Sequence, residues 1–338
     1  SIYGSRAANG VIIITTKKGK EGQIKVDFDA SVAASKYINK MQVLNAREYG
    51  QAMWQAFVNE GQDPNVNGLG YAFDWGYNKE GHPVLNSVSM NRFLDEAGTT
   101  PSADTDWFKE TTRTGFVQNY NLSVSSGTQK SSSFFSLGYY KNLGIIKNSD
   151  FDRISARVNT EYNLIGDILK IGEHFTLNRS TQVSAPGGFL QNVLQFNPSI
   201  PVYTLDGNYG GPVGGYPDRN NPVAVLERNK DNRYTYWRMF GDAYLNLNPF
   251  KGFNVRSTFG IDYSQMAQRI FTYPITEGNV ANDKNAVEAK QEHWMRWMWN
   301  AIATYNLEVG KHRGDAMVGV ELNRESTQYF SGYREDYT

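Results

Sequence analysis

The segment FDRISARVNTEYN, residues 151–163, alternates with a period of two. Ile154, Ala156, Val158 and Tyr162 fall on one side, and Arg153, Ser155, Arg157, Asn159, Glu161 and Asn163 on the other. Successive side chains of a β-strand point to opposite faces, so this is a strand with one wet and one apolar face. KGFNVRSTFGIDYS (251–264) repeats it, with Phe253, Val255, Phe259, Ile261 and Tyr263 opposed to Asn254, Arg256, Thr258 and Asp262. WMRWMWNAIATYNLEV (294–309) does so again, with Trp297, Trp299, Ala301, Ala303, Tyr305 and Leu307 opposed to Arg296, Asn300, Thr304 and Asn306.

About nine such segments occur, near 24–35, 116–126, 133–141, 151–163, 169–180, 235–248, 252–266, 292–308 and 314–325. Each has about 9–13 residues, the length of a tilted membrane-spanning strand and longer than a sandwich strand. The connections sort by length. GTQKSS, IGDI, PFKG and VGKHRG are tight turns, whereas the alternate connections run long near 36–114, 181–234 and 267–291, with NLGIIKNS as a short exception. Short turns on one rim and long loops on the other are the pattern of an outer-membrane barrel.

Composition agrees. Of 338 residues 14% are aromatic, including 21 Tyr, and 32 are Gly, yet the mean hydropathy is -0.55. Polar on average but rich in rings describes either a barrel with aromatic girdles or a carbohydrate-binding β-protein. The 34 basic and 34 acidic residues cancel, which gives no electrostatic case for nucleic acid. The lack of cysteine excludes disulfides and thiolate metal sites. No apolar run is long enough for a membrane-spanning helix.

The first long loop carries a helix signal: Asn45 as N-cap, Glu48 three residues on to complete a capping box, Leu44 and Tyr49 as a hydrophobic staple, and Gly61 as the C′ residue. Met53, Trp54 and Phe57 form its apolar, packing face.

The opening YGSRAANGVIIITTKKGK (3–20) resembles the end of the plug domain in SusC/RagA-type TonB-dependent outer-membrane transporters. The matching positions include Tyr3, Gly4, Arg6, Ala7, Asn9, Gly10 and Gly19. Residues 105–159 resemble the family's first barrel hairpins, with Asp106, Trp107, Arg113, Gly127, Gly138 and Arg153 among the anchors; LNAREYG (44–50) resembles its first-loop helix; PVYTLDGNYGG with NNPVAVL (201–226) resembles its second long loop.

The resemblance implies an all-β, partial antiparallel transmembrane barrel, unclosed and of about nine strands where a plugged transporter has about 22. Residues 1–20 would be the C-terminal end of the plug and 21–338 the N-terminal part of the barrel, with signal peptide, TonB box and most of the plug upstream. It further implies active import of glycan or peptide oligomers across a Gram-negative outer membrane, a SusD-like surface lipoprotein, the TonB–ExbB–ExbD complex and outer-membrane lipid as partners, and no enzymatic activity or cofactor. The alternative from the residues alone is a surface carbohydrate-binding β-protein without a transport role.

Candidate residues read two ways. The wet-face charges Arg153, Arg157, Glu161, Arg238, Asp242, Arg256, Asp262 and Arg296 either line a substrate path or contact the plug and one another; the second is the plainer reading of a plugged lumen. Tyr139, Trp237, Trp297, Trp299 and Tyr305, on apolar faces, read as lipid-facing. The loop rings Trp54, Tyr71, Trp75, Tyr77, Tyr203, Tyr209 and Tyr216 either touch ligand or partner, or pack loop on loop. Asp74, Asn78 and Glu80 have a spacing faintly like a calcium loop, without its full pattern. GGPVGGYP (210–217) lacks the residues of a phosphate loop and reads as a flexible loop. Four scattered histidines support no catalytic or metal constellation.

Overall fold

The computed structural model describes residues 19–22, 24–38, 42–166 and 168–336. The apolar run VIII at 11–14 of the opening segment, and the plug-end positions other than Gly19, lie outside these residues. Nine long strands form one antiparallel sheet: β1 (Lys25–Ser35), β4 (Gly115–Gly127), β5 (Ser131–Leu143), β6 (Asp150–Ile165), β7 (Leu169–Val183), β8 (Tyr234–Phe250), β9 (Phe253–Thr272), β12 (Ala286–Val309) and β13 (His312–Glu335). They follow one another in that order across the sheet. Among the described residues the sheet is unclosed, with β1 and β13 its outermost strands.

Between these strands lie α1 (Ala46–Asn59), the hairpin β2 (Tyr71–Tyr77) and β3 (Pro83–Met90), α2 (Trp107–Thr111), α3 (Phe189–Gln195), α4 (Pro222–Asn229), and the small hairpin β10 (Ile275–Glu277) and β11 (Val280–Asn282). All sit on the rim opposite the tight turns.

The expected alternation holds. The register from Val26 runs through Val124, Phe135, Val158 and Phe175, and then reaches Gly241, Ile261 and Trp297. An apolar row thus crosses eight strands on one face. The row beside it, from Asp27 through Ser123, Ser136, Arg157, Thr176, Phe240, Asp262 and Arg296 to Glu325, crosses all nine and is largely polar. Tyr139, Trp237, Trp297, Trp299 and Tyr305 share the apolar face by register.

The expected third long loop, 267–291, is a correction. Residues 267–272 continue β9 and pair with 286–291 of β12, leaving only β10, β11 and their turns as a connection. Both β12 and β13 reach 24 residues, about 80 Å of strand at ~3.3 Å per residue. That is more than twice what a bilayer needs, so the wall continues past the lipid. Alternation reports a two-sided strand and does not mark where lipid gives way to water.

The main hydrophobic core lies not in the sheet but in the layer of long connections. Trp54, Tyr71, Phe73, Trp107, Phe196 and Tyr216 are among its buried members. A sheet that meets lipid on one side needs no protein layer there. The loops are in water and must bury their own apolar surface, at about 1.5–3 kcal/mol for each fully buried large side chain.

Candidate functional surface

The wet face carries a connected set of charges. Arg238 grips Asp262 with two parallel bonds, Nε to Oδ1 at 2.9 Å and Nη2 to Oδ2 at 2.6 Å, and its guanidinium lies 5.2 Å from the Phe240 ring centroid. One row closer to the tight turns, His174 Nδ1 is 3.2 Å from Asp242. The next row holds a cluster built on one small residue. Gly172 stands opposite Tyr244, and a Cβ at Gly172 would meet the Tyr244 ring at 2.7 Å. With no side chain there, the tyrosine crosses β7 and its hydroxyl donates to Glu161. Lys170 Nζ approaches the same carboxylate at 3.3 Å, Arg256 caps the Tyr244 ring at 4.1 Å, and His174 stacks on its other side of the network at 5.7 Å.

All eight wet-face candidates therefore share one face, and most are engaged with neighbours on it. Arg157 donates to Thr176 Oγ1 at 3.2 Å, and Arg153 lies 5.8 Å from the centroid of the Tyr140 ring. Arg296 stands between Asp262 and Glu325 in the register. Such mutual pairing satisfies the charges without a ligand.

The loop layer is knitted by polar contacts between distant connections. The capping box and the C-terminal glycine of α1 are present: Asn45 Oδ1 accepts from Glu48 N and Glu48 Oε2 accepts from Asn45 N, and Gly61 adopts φ 68. Gly61 N donates to Val58 O and Gln62 N to Phe57 O, a Schellman end. Leu44 and Tyr49 line one groove with Trp107, Phe108 and Phe196. Trp107 Nε1 donates to Asn197 O at 3.0 Å, joining the first and second long loops. Tyr216 OH donates to Leu69 O and contacts Ser199 Oγ. Tyr71 OH donates to Ala46 O at 2.7 Å. Burial pushes the Tyr71 hydroxyl up to about 12 and raises Tyr216 as well.

A buried node joins the second loop to the β10–β11 hairpin. Asn221 caps α4, its Oδ1 accepting from Val223 N and Ala224 N, while its Nδ2 donates to Val202 O and Gly210 O. Its own backbone N–H donates to Glu277 Oε2 at 2.8 Å, and Arg228 Nη2 lies 2.5 Å from Glu277 Oε1.

This changes the reading of GGPVGGYP. It is an interlock, not a flexible loop. A Cβ at Gly211 would lie 2.1 Å from Glu277 O, and one at Gly214, with φ 57, 2.5 Å from Gly68 O. Gly215 N donates to Gly68 O at 2.9 Å. The glycines admit close backbone approach between three connections, a demand invisible in a linear sequence.

The loop aromatics divide. Trp54, Tyr71 and Tyr216 are buried in the loop core and Trp75 packs against it. Tyr209 is half-buried and meets Tyr203 ring to ring at 5.2 Å. Tyr77 and Tyr203 are exposed, at 70% and 53%, and the Tyr77 ring meets that of Trp75 at 5.6 Å. Asp74 lies on β2, and Asn78 Oδ1 is used by the hairpin turn, accepting from Glu80 N and His82 N. Gly19 packs against the end of β4, where a Cβ would meet Ser126 O at 1.9 Å, so a glycine is required there. Sequence reasoning did not find α2, α3, α4 or the β2–β3 hairpin. Asp106 before α2 and Asn221-Pro222 before α4 were available as N-cap signals.

A long-stranded antiparallel meander, apolar on one face, wet on the other and loop-laden on one rim, is a wall of an outer-membrane β-barrel. No family model matches the chain. It is 28% identical over 346 residues to the TonB-dependent receptor SusC of Bacteroides thetaiotaomicron, covering 95% of this chain and 31% of that protein. It is 26% identical to TonB-dependent receptor P26 of Formosa agariphila, covering 97% of this chain and 30% of that one. A structure of the RagAB peptide importer in a closed-closed state superposes with a TM-score of 0.75 at 21% identity, over 100% of this chain and 38% of that one. The chain is thus related to the TonB-dependent receptors of the SusC/RagA type and is an outer-membrane protein. It spans about a third of the length of the curated relatives it matches. Those relatives are named as receptors rather than as enzymes.

Proposed function

We propose that this chain forms part of the wall and loop layer of an active outer-membrane transporter that imports glycan or peptide oligomers. Residues 1–20 would end the plug and 21–338 would begin the barrel, with the wet face toward the lumen. The long-loop rim would face outward and receive cargo from a SusD-like surface lipoprotein. TonB–ExbB–ExbD would supply the work of opening the plugged lumen. The observation that carries this reading is the pairing of a self-supporting loop core with a sheet whose opposite face is built for lipid. A surface sugar-binding protein has no use for a lipid-suited face eight strands wide. Within the loop layer, Tyr77 and Tyr203 would be the rings that meet ligand or partner, a reading their exposure supports. Among the wet-face charges the paired groups would contact the plug, a polar surface needing polar partners.

The test is uptake. The host strain and a strain lacking this gene are supplied with fluorescent glycan and peptide oligomer libraries, with and without a proton uncoupler. Loss of energy-dependent accumulation of one class in the deletion strain supports the reading. Surface binding without accumulation in the host strain would favour the carbohydrate-binding alternative.

A further inference from the structure

The loop layer holds a groove of about 470 Å³ where the first long connection meets the second. The entry to α1, the start of α2, the end of α3 and the segment before α4 each supply part of its lining. Trp107, Phe108, Val193 and Phe196 form a buried floor, with Trp107 set edge-on to Phe196 at 4.8 Å. Leu44 and Leu194 stand exposed at the rim. Behind the floor lies Asn197, whose Oδ1 accepts from Ser199 N and Ser199 Oγ and whose carbonyl accepts from Trp107 Nε1. Its Nδ2 faces the hydroxyl of Tyr49, which lines the groove.

The polar groups at the mouth are unmatched. The side chains of Gln42, Gln195 and Arg219 make no hydrogen bond or ion pair among the described residues. Arg219 is the one charged side chain in the lining among the described residues, and no carboxylate stands beside it there. Of the acids nearby in the chain, Asp104 accepts from Ala46 N and Asp106 from Lys109 N. Asp218 is exposed and outside the lining. A purely apolar cover over this mouth would strand two amides and a guanidinium without partners, each at a cost. The occupant that fits brings an apolar body for the floor, an anion for Arg219, and both donors and acceptors for the amides.

We propose that this groove binds the C-terminal end of a peptide. An apolar last side chain lies on Trp107 and Phe196, the terminal carboxylate meets Arg219, and the preceding peptide groups meet Gln42 and Gln195. A guanidinium matches a carboxylate with two parallel bonds. A side-chain amide offers both N–H and C=O, as a peptide group does. A fatty acid satisfies the floor and Arg219 but leaves both amides unmatched. A neutral glycan leaves the guanidinium without an anion. The inference rests on the import reading and narrows its cargo to peptides.

The test is binding in detergent, by isothermal titration calorimetry, to the protein expressed from its complete reading frame. The probes are Ala-Ala-Ala-Leu with a free carboxylate, the same peptide as its C-terminal amide, Ala-Ala-Ala-Ser, octanoate and maltotetraose. The free-acid leucine peptide is expected to bind about ten-fold more tightly than its amide. It should also bind more tightly than the serine peptide, with octanoate and maltotetraose failing to compete. Arg219→Gln should erase the preference for acid over amide and keep that for leucine over serine. Leu194→Asp, at an exposed position, should weaken the acid more than the amide. Heat-modifiable gel mobility reports folding, and the comparison of acid with amide on the wild type needs no variant. Equal affinity for acid and amide in the wild type overturns the proposal, as does an undiminished preference in folded Arg219→Gln. Competition by octanoate also overturns it, since that result describes a groove for any amphiphilic anion. Binding without energy-dependent accumulation would sink the import reading and leave the groove standing. Accumulation of peptides by a protein that shows no carboxylate preference would do the reverse.

Discussion

Arg228 Nη2 stands 2.5 Å from Oε1 of Glu277, a side chain with no exposed surface, although the two residues belong to different connections. The second oxygen of Glu277 is held by the Asn221 N–H. Removing one partner of a buried ion pair leaves an uncompensated charge, typically at about 3 kcal/mol. Glu277→Ala should therefore loosen the loop layer by about that amount while sparing the sheet. Hydrogen exchange checks this: protection should fall in 210–230 and 275–282 and persist in 151–183. A uniform fall throughout would mean that sheet and loops unfold together.

Gly211 and Gly214 should resist substitution more than glycines in open space. Gly211→Ala forces a contact with the Glu277 carbonyl, and overpacking of this kind costs about 1–3 kcal/mol. Gly207 also has a positive φ, 84, but nothing lies within 4 Å of its Cβ position, so Gly207→Ala should cost only the left-handed backbone strain, about 1–2 kcal/mol. Proteolytic half-lives of the loop layer would rank the variants. A Gly207→Ala variant cut faster than Gly211→Ala would contradict the interlock.

The two faces of β6 should respond oppositely to charge. Val158 lies in the apolar row and Asn159 beside it in the wet one. Val158→Arg should destabilise by about 2–4 kcal/mol near the bilayer midplane, and Asn159→Arg by much less. Urea unfolding in lipid vesicles gives both numbers. Equal midpoints would refute the assignment of faces.

The loop core should weaken in alkali. Burial favours the neutral hydroxyls of Tyr71 and Tyr216, and Tyr71 is pushed up to about 12. A hydroxyl whose folded pKa exceeds its unfolded value of about 10 contributes stability that is complete below that value. The contribution is lost as pH rises from about 10 towards 12. Loop-layer melting followed by near-ultraviolet circular dichroism should drop over that window. Tyr71→Phe should flatten its dependence on pH.

Protease added to intact cells should cut the exposed tip at 204–208 and spare 128–130 and 251–252. Leu205 is 68% exposed and lies on the rim of long connections. Cleavage confined to the tight turns would invert the proposed topology.

The sheet was legible because each strand satisfies a local rule. Alternation at Ile154, Ala156 and Val158 is a property of neighbouring residues, and lipid on one face and water on the other stamp it on every strand. The helix at Ala46–Asn59 was legible for the same reason, since Asn45, Glu48 and Gly61 mark its ends within the chain. The loop core was not. Whether Trp54 meets a ligand or another loop depends on Leu69, Tyr71 and Phe73 arriving beside it. Whether Gly211 is free or wedged depends on Glu277, which alternation cannot report. The overshoot of β9 and β12 into the expected third loop was hidden likewise, because Ala267–Gln291 pairing looks the same in water as in lipid.

The meander order has a consequence for how the molecule is made. Every strand of the sheet pairs with the strand before it in chain order, so the wall can be laid down one strand at a time. The loop layer cannot. Tyr216 reaches Leu69 across 147 residues, Trp107 reaches Asn197 across 90, and Asn221 awaits Glu277, 56 residues later. Contacts of such separation form only after long stretches of chain have been closed into loops. The first connection can pack its own rings early, as Trp54 on Trp75 and Tyr71 on Phe73, but the contacts between connections can condense only once β10 has arrived. Assembly ends on the side where cargo would be met, and a wall without its finished crown would be a recognisable intermediate.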